Sequence, residues 1–163
     1  MATPVGHGIV GYTIARAFGV KSPGGLALSI GAASLPDVDL LLGYVANGDP
    51  MSLHHEVITH QREFPLLVGA ATGVAAAAVS LLRGRRPRLG ETLRPAALAT
   101  ALVGSHIVMD PLPLPYDTMP ARSKGFFEVA AVQAWNAVID MAVYGTLAVL
   151  ALDRNGNGRE AEA

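Results

Sequence analysis

Phe64-Pro65-Leu66-Leu67-Val68-Gly69-Ala70-Ala71-Thr72-Gly73-Val74-Ala75-Ala76-Ala77-Ala78-Val79-Ser80-Leu81-Leu82 contains no Asp, Glu, Lys or Arg. At a rise of 1.5 Å per residue, this stretch makes a helix roughly 28 Å long, close to the hydrocarbon thickness of a bilayer. Gly69 and Gly73 sit four apart among alanines. Small residues at that spacing let two helices approach closely in lipid. Arg83, Arg85, Arg86, Arg88 and Arg94 then crowd one short loop, and such basic loops concentrate on the cytoplasmic side of membrane proteins. A second apolar run covers 95–109, interrupted by His106, and a third covers 129–152, broken by Gln133, Asn136 and Asp140. The expectation is an all-α helical bundle with about three membrane-spanning or membrane-embedded helices.

Composition agrees. The chain has 163 residues, 12 Lys+Arg against 13 Asp+Glu, 51% hydrophobic and 15% charged residues. A soluble domain carries about 25% charged residues. The mean hydropathy is +0.38. A net charge of −1 speaks against a nucleic-acid partner, which requires a basic surface to neutralise phosphates. With no cysteine, disulfides, thiolate zinc sites and Cys nucleophiles are excluded. Length permits one domain, expected over 1–152 with a polar, disordered tail over 153–163. Any chemistry rests on His, Asp and Glu.

Outward from the long apolar run, the N-terminal segment 4–18 has helical apolar spacing and no basic region before it, so no cleavable signal peptide is expected. A break at Lys21-Ser22-Pro23-Gly24-Gly25 precedes the run 26–35, which Pro36 ends. Asp37-Val38-Asp39 opens a short segment, 40–45, that stops at Asn47-Gly48-Asp49-Pro50. Ser52 reads as the N-cap of a further helix with His54, His55 and Glu56 in its first turns. Residues 111–125 hold four prolines and read as a loop. Two motifs mislead. Gly6-His7-Gly8-Ile9-Val10-Gly11 matches the dinucleotide fingerprint but lacks the strand that must precede it. Asp153-Arg154-Asn155-Gly156-Asn157-Gly158 matches the first half of an EF-hand loop but lacks the bidentate Glu.

The histidines are His7, His54, His55, His60 and His106. His106 and Asp110 are spaced i, i+4 and share one helix face, where they form either a metal clamp or a hydrogen-bonded pair. Asp37 and Asp39 form a compact pair of oxygen ligands, with Asp37 alternatively a simple N-cap. His55 and His60 lie five apart, about 140° around a straight helix, so they serve two ions or the helix breaks between them. His54 and Glu56 read as solvated helix-end residues. His7 alone would be an ordinary surface histidine. Gln133, Asn136 and Asp140 recur at helical spacing and suit hydrogen bonds between helices. If the arginine loop is cytoplasmic, His55 and His60 before the first run meet His106 and Asp110 after the second, at the opposite membrane face. A helical hairpin thereby builds one shared site.

His7, Leu35-Pro36-Asp37-Val38-Asp39, His55-Glu56-Val57-Ile58-Thr59-His60 and His106-Ile107-Val108-Met109-Asp110 follow the order and spacing of the YdjM family, which this chain resembles over residues 1 to about 125. That family comprises bacterial inner-membrane metal-dependent hydrolases and is similar to zinc-dependent phospholipase C and S1/P1-type nucleases. The resemblance implies metal ligation by His7, Asp37, Asp39, His55, His60, His106 and Asp110. Glu56 stands where the family has Arg, and no histidine follows His106. One or two ions are therefore expected.

The function expected is hydrolysis of a phosphoester, small-molecule or lipid, by an integral protein of the bacterial inner membrane in contact with membrane lipid. A divalent ion, Zn²⁺ or alternatively Mn²⁺, would activate water, and Asp37 or Asp39 would bridge ions or accept the water's proton. Two rival expectations stand beside it: a non-catalytic metal-binding membrane protein, and a small transporter using Asn136 and Asp140.

Overall fold

The computed structural model describes residues 3–54, 56–110 and 126–160, with side chains at 126–133 and 153–160 left aside. Among the described residues the chain is all-helical. Six α-helices follow in order: α1 Pro4–Ala17, α2 Pro23–Ala33, α3 Val38–Asn47, α4 Phe64–Leu82, α5 Leu89–Met109 and α6 Phe126–Glu160. Three 3₁₀ turns, Leu35–Asp37, Pro50–Ser52 and Ile58–His60, connect them. The helix starts follow local chemistry. Thr3 and Ser22 cap α1 and α2 through hydroxyls that accept from Gly6 N and Gly25 N, and each cap is followed by a proline, whose missing N–H costs nothing in a first turn. Helix α3 ends on Gly48 at φ +69°, a left-handed conformation that glycine adopts without Cβ strain.

Helix α5 is the hub, packed against α1, α2 and α4, while α6 packs on α1. Two contacts fix the sense of α1 against α5. At one end Arg94 Nη2 donates to Phe18 O at 2.5 Å, placing a cation on the carbonyl end of α1, where the helix dipole favours it. At the other end His7 Nε2 lies 3.2 Å from Asp110 Oδ1. The α4–α5 hairpin closes on its glycine stripe. A Cβ at Gly69 would collide with Thr100 Oγ1, and one at Gly73 would press Ala96 Cβ at 3.3 Å. Helices this close gain dispersion contacts that larger side chains would prevent.

The distribution of side chains is inverted relative to a water-soluble protein. Among the described residues the buried apolar ones are few and mostly small: Ala15, Ala33, Ala99, Leu102, Val103 and Met109. The largest fully buried side chains include His7, His106, Asn136, Asp39 and Asp140. Leu28, Val45, Val74 and Leu82 are 77%, 75%, 70% and 88% exposed. A surface so apolar is matched to lipid rather than water. Among the described residues, two helices are long and apolar enough to cross a membrane, Phe64–Leu82 and the Ala134–Leu152 part of α6. The pair Pro23–Ala33 and Leu35–Asn47, bent by 58°, makes a third if it counts as one span.

Four expectations need correction. The run 95–109 is not among the candidate spans. Its helix starts earlier, at Leu89, and carries the exposed Glu91 and Arg94 at one end and the buried His106 near the other, while α1, α2 and α4 pack against it. No α-helix begins at Ser52. Instead Ser52 Oγ donates to Gly43 O at 3.3 Å and accepts from Asn47 Nδ2 at 2.9 Å, so the supposed cap is engaged with α3. The polar stretch after Leu152 continues α6 as far as Glu160 rather than leaving it as a disordered tail. Adding residues to an existing helix avoids the nucleation cost. Lastly, Asp37 makes no capping hydrogen bond to α3, which removes the simple N-cap reading. The expected loop at 111–125 lies outside the described residues.

Candidate metal centre

The site is assembled at the end of the α4–α5 hairpin opposite the arginine turn, from four pieces of chain. Helix α1 brings His7, and the bend after α2 running into the first turn of α3 brings Asp37 and Asp39. The segment before α4 brings His54 and His60, and the end of α5 brings His106 and Asp110. Proline shapes the bend: Pro36 lies within the 3₁₀ turn Leu35–Asp37, so the two aspartates follow a sharp corner rather than a continuous helix.

Among the described residues three overlapping groups result, each with donor atoms within 4.8 Å of one another: His7, His106 and Asp110; Asp37, His60 and His106; Asp39, His54 and His60. Asp110 is the centre of the first. Its Oδ1 lies 3.2 Å from His7 Nε2, and its Oδ2 lies 3.1 Å from His60 Nε2 and 3.3 Å from His106 Nε2. Asp39 anchors the third, with Oδ1 3.0 Å from His54 Nδ1 and Oδ2 2.7 Å from His60 Nδ1. Thr59 Oγ1 donates to the same Oδ2 at 3.4 Å. His60 therefore faces a carboxylate with each ring nitrogen. The rings of His7 and His106 stack, with centroids 3.6 Å apart and planes 18° from parallel.

His106 is the most informative residue. Its Nδ1 lies 2.9 Å from Ala33 O. A carbonyl oxygen only accepts, so Nδ1 carries a proton, and in the neutral ring Nε2 presents its lone pair. That Nε2 is buried without a hydrogen bond, 3.4 Å from Asp37 Oδ1 and 3.3 Å from Asp110 Oδ2. Asp37 Oδ2 and His7 Nδ1 are likewise buried without hydrogen bonds. Lone pairs converging in a space closed to water repel unless a proton or a metal cation lies among them. With no metal, burial pushes the His106 imidazole pKa down, but the facing Asp110 and Asp37 carboxylates outweigh it and raise it to about 9. A divalent ion would take that proton's place. Four ligands at about 2.1 Å from one ion lie about 3.4 Å apart, close to the 3.4 and 3.3 Å that separate His106 Nε2 from Asp37 and Asp110. The residues present therefore fit a divalent ion. The donors are nitrogen and oxygen only, and a second imidazole nitrogen tied to a backbone carbonyl is the usual support for a metal-binding histidine.

Electrostatics points the same way. Burial pushes the Asp110 carboxyl up, but the imidazoles of His106, His60 and His7 facing it outweigh burial and hold the group well below the usual carboxylate range. It stays charged.

Of the expected ligands, the structure brings together His7, Asp37, Asp39, His60, His106 and Asp110, while His55 lies outside the described residues. The hairpin argument is borne out to this extent: His60, before α4, meets Asp110, after α5. His54 was expected to be solvated, and it is not. It is 5% exposed and joins Asp39. Sequence offered no signal for it, because its partner lies 15 positions away with no periodic relation. Compared with protein-family models, curated proteins and solved structures, the chain has no match.

Proposed function

We propose that the chain is a membrane-embedded, metal-dependent hydrolase of phosphoesters, of the kind the YdjM-like motifs imply, in a bacterial inner membrane. The observation that carries this reading is His106, with Nδ1 fixed on a carbonyl and Nε2 aimed, without a hydrogen bond, between Asp37 and Asp110. A bound divalent ion, Zn²⁺ by preference for this nitrogen and oxygen set, supplies a water whose pKa is lowered toward about 7.

The chain's own residues divide the remaining work. Asp39 is saturated by His54, His60 and Thr59 and holds the histidine segment in place. Asp37 keeps Oδ2 without a hydrogen bond and a side chain 11% exposed, so it is the carboxylate able to accept a proton from water. Asp110 gathers three imidazoles and fixes their spacing. The rings of His7 and His106 wall the site on one side.

A structural metal protein is the rival, favoured by the depth of the Asp39–His54 pair, 0% and 1% exposed at the side chain. Turnover of phosphomonoester, phosphodiester and phospholipid substrates, measured beside melting temperature with and without chelator, separates the two. The proposal expects metal-dependent turnover that falls by orders of magnitude in Asp37→Asn with the melting temperature nearly kept. A chelator that shifts the melting temperature, with no substrate turned over by metal-loaded protein, gives the rival reading.

A further inference from the structure

Asp140 is fully buried within a helix long and apolar enough to cross a membrane. Carboxylates at such depth are costly and are kept where they have a task. Its Oδ2 accepts from Thr3 N at 2.6 Å and from Thr3 Oγ1 at 2.5 Å. Thr3 is the N-cap of α1, so the carboxylate sits on the end of α1 where the helix dipole is positive. Thr3 O in turn accepts from His7 N at 3.0 Å. Asp140 is thus joined through Thr3 to the first turn of α1, which carries His7, and the His7 ring lies with Nε2 3.2 Å from Asp110 Oδ1. Gly6 makes the approach possible, since a Cβ there would meet Asp140 Oδ2 at 2.7 Å and Tyr144 Cδ2 at 3.1 Å.

We infer that Asp140 is a positioning residue for the metal centre: through Thr3 it sets the depth and rotation of α1, and so the placement of His7. Helix α6 packs on α1 and, among its described side chains, contributes none of the seven clustered donors; the Asp140–Thr3 contact links it to the helix that carries His7. The inference rests on the metal-binding reading above. It gives the third apolar run a role in the site without making Asp140 a ligand.

The test is Co²⁺ titration of the full chain in detergent, read by the visible d–d spectrum, with melting temperatures recorded on the same preparations. Asp140→Leu removes the acceptor and is expected to weaken Co²⁺ binding about tenfold or more, as losses in the support of a metal ligand do, and to alter the spectrum. Asp140→Asn keeps an oxygen able to accept from both Thr3 donors, so it should restore the wild-type spectrum and bind Co²⁺ within about threefold of wild type. Thr3→Val, which keeps the volume and loses only the hydroxyl, gives an intermediate loss and serves if Asp140→Leu does not fold. Wild-type spectrum and affinity in both Asp140→Leu and Thr3→Val, whatever their melting temperatures, overturn the inference and leave the metal reading standing. Failure of the wild-type protein itself to bind Co²⁺ overturns both.

Discussion

Asp110 shows how one residue can be read from spacing and still be larger in its role than spacing suggests. The i, i+4 relation to His106 is visible in the sequence and is kept in the structure at 3.3 Å. The additional contacts to His7 and His60 come from elements far along the chain, and no local pattern encodes them. His54 was misjudged for the same reason: Asp39, which buries it, belongs to another element. Asp110 also gives a pH prediction for the metal-free protein. Its folded pKa lies below the unfolded value of about 3.9, so its stabilising contribution is present above that pH and is lost as the pH falls toward the folded value. Melting temperature should therefore drop below about pH 4 in metal-free wild type, and Asp110→Asn should show a shallower drop from a lower starting point. Equal slopes in the two proteins would remove Asp110 from the account.

At the scale of elements, the charge-free stretch Phe64–Leu82 was legible because length, hydropathy and the Gly69/Gly73 stripe all give the same answer. Helix α5 was less so. Hydropathy reports how apolar a run is but not whether lipid or protein covers it, and α5 is covered by α1, α2 and α4. The segment 52–62 misled because Ser52 has the chemistry of an N-cap, yet its hydroxyl is taken by Gly43 and Asn47. Close packing of the hairpin makes a sharp prediction. In Gly69→Val the new side chain overlaps Thr100 and the carbonyl of Ala96, and overpacking of this kind costs about 1–3 kcal/mol. Thermal unfolding in detergent should show that loss, and Thr100→Ala in the same chain should recover part of it. If Gly69→Val melts with wild type, the two helices do not meet at this residue.

At the scale of the molecule, the polar interior and apolar exterior divide the work: the outside is suited to lipid, and the inside holds histidines and aspartates in fixed relation. The two ends differ in charge character. One carries Arg83, Arg85, Arg86 and Arg88, and the other carries the His/Asp cluster. Basic loops concentrate on the cytoplasmic side, and the expected place of the cluster is therefore the opposite face. Single cysteines at Arg85 and at Gln61, which is exposed just before α4, test this with an impermeant maleimide on intact cells. Label at position 61 alone is expected. Label at position 85 alone would reverse the orientation, and a chain that stays in solution after membranes are removed would end the membrane reading.

The claim on which the rest depends is that these buried donors hold a divalent ion. Elemental analysis of protein purified in detergent without chelator addresses it directly. Wild type should carry at least about one equivalent of zinc or manganese, and His106→Ala, which belongs to two of the three groups, should carry far less. His54→Ala, confined to one group, should fall between them. Metal-free wild type that stays metal-free after incubation with zinc and manganese, or equal metal in wild type and His106→Ala, would contradict the account.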